Sequence, residues 1–162
     1  MIGAADGASG ADWADGAPEG TPYGIGDATP GDAAALALVL GDWVREVDWL
    51  PRLHTRDEDL GFVLGLLKTH VVRLGFAGGM GFLARRDVEV SALYLAPSAR
   101  GKGLGKALLD EAKAMGHLQL WVFQANHAAR AFYRREGFRE VRLTDGADND
   151  EKLPDVWMEW RT

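Results

Sequence analysis

The chain has 162 residues, no cysteine, 47% hydrophobic residues and a formal charge of −6. That length favours one substantial core, and the absence of cysteine excludes disulfides, a thiolate nucleophile and Cys-based metal sites. The acidic balance speaks against non-specific nucleic-acid binding, which relies on surplus Lys and Arg, and His54, His70, His117 and His127 lack metal-binding spacing, so no metal is expected.

Residues 1–20, MIGAADGASGADWADGAPEG, contain no Lys or Arg and no long apolar run. They lack the features of a secretory signal, and no later segment reaches the length of a membrane span. The expectation is a flexible acidic leader, 1–20, ahead of a single domain, 21–162, in a cytoplasmic protein with no membrane contact. PYGIGDAT (Pro22–Thr29) reads as a short first strand. Thr29-Pro30-Gly31-Asp32 then opens a helix, with Thr as N-cap, Pro at the first helical position and an acid at the third. Ala33, Leu36, Ala37, Leu40, Val44 and Val47 continue it at helical spacing. Pro51 interrupts within DWLPRLHT, and Thr55 with Glu58 forms a second capping box ahead of Leu60, Val63, Leu64 and Leu67.

Three strands follow in hairpin order: HVVRLGF (His70–Phe76), MGFLARR (Met80–Arg86) and VEVSALYLA (Val88–Ala96), turning at Gly78-Gly79 and Asp87. The glycine-rich APSARGKGLGKALLDEA (Ala96–Ala112) then leads into a helix whose Leu104, Ala107, Leu108, Ala112 and Met115 share one face. LQLWVFQ (Leu118–Gln124) is a strand reached through that helix, which predicts a right-handed β-α-β crossover to a parallel neighbour. Asn126 caps a further helix that Gly137 ends, and EVRLT and VWMEW are the last strands. The fold class is therefore α/β, one mixed sheet with helices and no internal repeat.

Three readings of RGKGLGK compete. A Walker A loop, G-x-x-x-x-G-K-S/T, fails because Arg100 takes the first glycine position and Ala107 the hydroxyl position. A dinucleotide fingerprint, G-x-G-x-x-G from Gly101, fails at Lys106. The pattern Gln/Arg-x-x-Gly-x-Gly/Ala directly after a strand is met at every defined position by Arg100-Gly101-Lys102-Gly103-Leu104-Gly105. Such a loop lets backbone N–H groups converge at a helix N-terminus and cradle a diphosphate.

This stretch resembles the pyrophosphate loop of the GNAT superfamily of N-acetyltransferases. NHAARAFYRREGF (Asn126–Phe138) is similar to the family's other signature, N-x-x-A-x-x-F-Y-x-x-x-G-F, and the element order agrees from about Tyr23 to Trp160. The resemblance implies the GNAT fold, with a mixed sheet splayed at an acetyl-CoA site and about four flanking helices. It implies acetyl-CoA as cofactor, its pantetheine arm lying along the main chain of Leu93, Tyr94 and Leu95. The pyrophosphate is then expected on Arg100, Gly101, Lys102, Gly103, Leu104, Gly105 and Lys106, with Phe132 packing on the cofactor and Asn126 as a further contact. Tyr133 matches the family's acid at the thiol, and Glu89 matches the catalytic glutamate of the histone-modifying members. The connection between the first two helices usually walls the acceptor side, which nominates Trp49, Arg52 and His54, with Trp157 from the late loop. WLPRLHT resembles a bacterial subgroup of these enzymes. The implied reaction is acetyl transfer to a primary amine of a small molecule, peptide or protein, by a monomer or homodimer; the alternative is a non-catalytic acyl-CoA-binding sensor or regulatory domain.

Overall fold

A computed structural model describes residues 23–162; the expected leader, 1–20, lies outside the described residues. Among the described residues seven strands form one sheet: β1 (Gly26–Asp27), β2 (Val71–Phe76), β3 (Met80–Arg86), β4 (Glu89–Leu95), β5 (Leu118–Phe123), β6 (Arg139–Thr144) and β7 (Asp155–Trp160). Their spatial order is β1-β2-β3-β4-β5-β7-β6, antiparallel throughout except for the β4–β5 pair. Four α-helices of the described residues cover it: α1 (Ala33–Glu46), α2 (Arg56–Thr69), α3 (Leu104–Lys113) and α4 (His127–Arg135).

Both helix starts follow from their capping chemistry. Asp32 accepts from the Thr29 backbone N–H at 2.7 Å, and a short 3-10 turn at Pro30–Asp32 feeds α1. Glu58 accepts from the Thr55 backbone N–H at 2.7 Å, while Thr55 Oγ1 accepts from the Glu58 N–H at 3.3 Å. The Thr55 backbone N–H, with the Thr55 hydroxyl donating to the same carboxylate at 3.0 Å, favours the ionised form and holds the Glu58 carboxyl below its ordinary value. The first strand is the largest departure from expectation. Only Gly26 and Asp27 pair with β2, although the Phe76 N–H still donates to the Tyr23 carbonyl at 2.8 Å.

The sheet has two packed faces. Leu104, Leu108, Leu109 and Ala112 of α3 meet Leu83, Val90, Leu93 and Leu95, with Ala129 and Tyr133 of α4 in the same cluster. Leu36, Leu40 and Trp43 of α1 and Val63 and Leu66 of α2 cover Val72, Phe82, Ala92 and Tyr94 on the other face. Strict alternation along β4 predicts Glu89, Ser91, Leu93 and Leu95 on one side, and this fails at a bulge. Ala84 pairs with Ala92 but Arg85 pairs with Val90, leaving Ser91 as the extra residue. Val90 therefore joins Leu93 and Leu95 on the α3–α4 face, and Glu89 turns to the α2 face.

Candidate functional site

The parallel pair at the centre of the sheet barely pairs. β4 and β5 share one register position, Glu89 with Gln119, beside a bond from the Gln119 N–H to the Val88 carbonyl at 2.8 Å. Beyond it the strands diverge, while β4 stays paired with β3 and β5 with β7. A wedge opens in the sheet, and its wide end lies at the loop that starts α3. The Ala96 N–H donates to the Met80 carbonyl at 2.7 Å. Alternation along an antiparallel ladder then turns the peptide groups of Tyr94 toward β3 and those of Leu93 and Leu95 into the wedge. The Tyr94 backbone is thus committed to the sheet, and its side chain belongs to the α1–α2 face.

The glycine loop closes the wide end. Gly101 and Gly103 have φ of 68° and 83°, in the left-handed region that favours glycine. Gly103 is the N-cap of α3 and supplies no side-chain cap, so the first-turn N–H groups keep their bonding capacity for an anion. A Cβ on Gly103 would sit 2.7 Å from Tyr23 Oη, so the loop is also a close approach. A cavity of about 300 Å³ lies here, among Leu95, Gly103, Gly105, Phe132 and Arg135.

Of the basic residues expected at the phosphates, Arg100 lines the cavity and Lys102 and Lys106 do not. Arg100 is committed: its guanidinium forms a two-pronged pair with Glu46 at 2.9 Å and donates from Nε to the Leu95 carbonyl at 3.1 Å. Lys106 binds Asp110 at 2.6 Å, which holds its ammonium above the usual lysine range. Lys102 is exposed beside Gly78 and does not line the cavity. Two cations line it, Arg100, already paired with Glu46, and Arg135, whose guanidinium has no ion pair or hydrogen bond among the described residues. Its sequence signal is spacing: Ala128, Phe132 and Arg135 fall at i, i+4 and i+7, the face of α4 turned to the loop.

Asn126 is buried and accepts from the Ala129 N–H at 3.1 Å, so the α4 cap is its evident role. Tyr133 is fully buried against Phe132 and Phe138, with ring centroids at 5.1 and 5.4 Å. Its hydroxyl has no hydrogen-bond partner, and burial pushes its pKa well above the usual phenol value. A buried unpaired hydroxyl costs about 1–3 kcal/mol.

On the α2 face, at the narrow end of the wedge, a hollow of about 220 Å³ lies among Glu89, Ser91, His70, Phe62 and Trp121. His70, which sequence reasoning did not single out, is tied in on both sides. Nδ1 lies 2.8 Å from Thr69 Oγ1, and Nε2 lies 3.0 Å from Ser91 Oγ. Thr69 spends its proton on the Gly65 carbonyl at 2.8 Å, so His70 Nδ1 must donate and Nε2 accepts from Ser91. Burial, seconded by Arg86, holds His70 below its ordinary value against the opposing pull of Glu89. The imidazole is neutral at pH 7, with Nε2 able to take a proton.

The four acceptor-side candidates divide. His54 lines a larger cavity of about 500 Å³ between α1, α2 and the β6–β7 connection. Trp49 backs that cavity, edge-on to Trp43 and Phe123 at 6.1 and 5.5 Å. Arg52 is exposed and donates to the Arg45 carbonyl at 3.1 Å. Trp157 stacks on Trp121 at 5.8 Å, with the Arg142 guanidinium over both rings, and lies apart from the cavity.

A wedge in a mixed sheet, an uncapped helix N-terminus at its mouth and an unpaired phenol beside it define the class of a nucleotide-cofactor acyltransferase fold. The acetyltransferase (GNAT) domain family matches residues 58–140, just over half of the chain, and the chain belongs to that family. A peptidyl-lysine N-acetyltransferase of Escherichia coli, YiaC, is 38% identical over 73 residues, covering 44% of this chain and 48% of that protein. An uncharacterised N-acetyltransferase of Mycobacterium bovis is 42% identical over 76 residues, covering 40% of this chain and 49% of that protein. The match thus spans about half the length of these curated relatives. Among solved structures, apo-form YjaB from Escherichia coli superposes with a TM-score of 0.72 at 21% identity, over 86% of this chain and 98% of that one. The putative acetyltransferase YncA from Salmonella typhimurium, solved with its cofactor acetyl-CoA, gives 0.65 at 20% identity, over 87% and 94%. These two likenesses establish the GNAT fold. Among the described residues no helix is long and apolar enough to cross a membrane.

Proposed function

We propose that this protein transfers an acetyl group from acetyl-CoA directly to a primary amine. The observation that carries the reading is the wedge between β4 and β5, which meets at one residue pair and opens onto the α3 N-terminus. The chain's residues fit the cofactor. The peptide groups of Leu93 and Leu95 face the wedge as a strand edge would, suited to an amide-bearing arm. The N–H groups of Leu104, Gly105 and Lys106 and the guanidinium of Arg135 suit a diphosphate. Lys102, Lys106 and Arg100 contribute backbone there rather than charge. Phe132 provides an apolar wall, and Tyr133 offers a buried phenol proton without a competing partner.

Bound acetyl-CoA supplies the activated acyl group as a thioester. The amine must arrive neutral, lose a proton as the new N–C bond forms, and the departing sulfur must gain one. Glu89 and His70 are the proton acceptors of the hollow, and the Ser91 hydroxyl relays toward His70 Nε2. Tyr133 is the donor to the sulfur, protonated at every working pH because burial disfavours the phenolate. Supporting relatives carry N-acetyltransferase names, and one acts on peptidyl lysine.

The test has two parts. Acetyl-CoA should raise the melting temperature of the full chain, and CoA should be released only when an amine is added. No stabilisation by acetyl-CoA would refute the cofactor assignment. Stabilisation without release across small amines, peptide N-termini and lysines would instead leave the acyl-CoA-binding module.

A further inference from the structure

The cavity of about 500 Å³ on the α1–α2 side has a composition that selects its ligand. Its volume suits a small molecule. Trp43, Tyr94 and Phe123 are buried in its wall, with the Trp43 and Tyr94 rings 5.4 Å apart. Around the rim stand Asp148, Asp150 and Glu151 from the β6–β7 connection and Glu58 and Asp59 from α2. No Lys or Arg lines it. Glu58 is engaged in the Thr55 cap, and Arg45 offsets Asp59 at 3.0 Å. Asp148, Asp150 and Glu151 have no ion pair among the described residues, and Lys152 beside them is turned to the Ala147 carbonyl at 2.8 Å.

Two further facts indicate a ligand rather than a merely solvated acidic surface. The Trp43 indole N–H is buried with no partner, and Trp43 lines the cavity; an unpaired buried donor calls for a polar guest or its water. The acidic connection is also built rather than slack. Asn149 Nδ2 donates to the Leu153 carbonyl at 2.8 Å and to Asp155 at 3.0 Å, and the Leu153 N–H donates back to Asn149 Oδ1 at 3.2 Å. The field of these acids reaches the wall. After burial, the causes that hold the Tyr94 hydroxyl above its ordinary value are Glu151 and Asp59.

We infer that this cavity receives the acceptor and that the acceptor is a compact amine with at least two amino groups. This rests on the acetyltransferase reading. Unpaired carboxylates attract ammonium groups and aromatic faces hold them. Carboxylates also oppose deprotonation of an ammonium beside them, so the anchored group cannot be the one that reacts. The anchor is a second, still protonated amine, and the reacting nitrogen lies beyond it toward the wedge. Phe62 lines both this cavity and the Glu89–His70 hollow, which joins anchor and proton acceptors.

The experiment compares CoA release by the full chain with spermidine, butylamine, glutamate and a lysine peptide, alongside stabilisation by acetyl-CoA alone. Spermidine should exceed butylamine in kcat/KM by about 100-fold, with its KM rising as salt is added. A combined Asp148→Asn, Asp150→Asn, Glu151→Gln variant should lose at least about tenfold of that preference while retaining stabilisation by acetyl-CoA, which shows that it folds. Equal use of butylamine, or preference for glutamate or the lysine peptide, overturns the inference and leaves acetyl transfer intact. So does stabilisation by acetyl-CoA with no release from spermidine. Loss of acetyl-CoA binding in the unmodified chain is separate and refutes the underlying reading.

Discussion

Replacing Tyr133 by Phe is expected to move stability and catalysis in opposite directions. The side chain is fully buried, packed between Phe132 and Phe138, and its hydroxyl has no partner. Phe keeps the ring contacts and removes a polar atom that burial leaves unsatisfied. The lost atom relieves about 1–3 kcal/mol of desolvation cost, reduced by the small void it leaves. A net gain of about 1 kcal/mol raises the melting temperature by about 2–4 °C for a chain of this size. If the same hydroxyl protonates the departing sulfur, kcat falls by about 10²–10⁴, equivalent to about 3–5 kcal/mol of barrier, while acetyl-CoA affinity changes little. Calorimetry on the free protein and CoA release at saturating amine measure the two sides. A variant that melts lower and turns over at the original rate would show that the hydroxyl is a structural group, and the reasoning from its lack of a partner would be wrong.

Arg135→Ala should weaken acetyl-CoA binding by about 10–100-fold, the value of a charge-assisted contact, and flatten its salt dependence without lowering the melting temperature, since the guanidinium has no described protein partner. Gly103→Ala forces a Cβ into a left-handed cap against Tyr23 Oη, at φ of 83°. It should cost about 1–2 kcal/mol of stability and reduce stabilisation by acetyl-CoA, measured by thermal shift. Glu140 is held below its ordinary carboxyl value first by the hydrogen bond from Arg130, at 2.8 Å, with Arg134 adding to it. A depressed carboxyl contributes stability that is full above the unfolded value near 4.5 and is lost as pH falls through the lowered folded one. Denaturant titrations from pH 7 to pH 3 should therefore show Glu140→Gln less stable by about 1–2 kcal/mol at pH 7 and converging with the parent at the acid end.

Much of the donor side was legible because it is local. Capping boxes at Thr29 and Thr55, the turn at Gly78-Gly79 and the glycines at 101, 103 and 105 act within a few residues, and each element they bound is present. Side-chain destinations were harder to read. Arg100, Lys102 and Lys106 sit in the loop motif, yet Glu46 and Asp110 take two of them, and Glu46 lies 54 positions away. Arg135 was overlooked for the converse reason, since its place at the cavity depends on the docking angle of α4. The Ser91 bulge leaves no composition signal, so alternation put Glu89 on the wrong face of β4. His70 was read only for metal-ligand spacing, and its link to Ser91 joins residues 21 positions apart. The late loop was placed at the acceptor side through Trp157, which stacks on Trp121 instead, and its acids were not singled out. Its cavity appears when β7 is inserted beside β5, bringing residues 148–151 opposite α1 and α2.

The divided strand β4 also bears on how such an enzyme can change its trade. Leu93 and Leu95 face the side of α3 and α4, while Ala92 and Tyr94 face the side of α1 and α2. From Ala92 to Leu95 the strand is a party wall one residue thick, with odd positions furnishing one room and even positions the other. A substitution at Tyr94 would refit the amine's room and leave the neighbour's furniture standing. Removing Ser91 would close the bulge and restore strict alternation, leaving Val90 and Ala92 on the faces they hold now. A change of length at Ser91 is thus absorbed by the bulge, while a substitution at Ala92 or Tyr94 acts on the α1–α2 face alone.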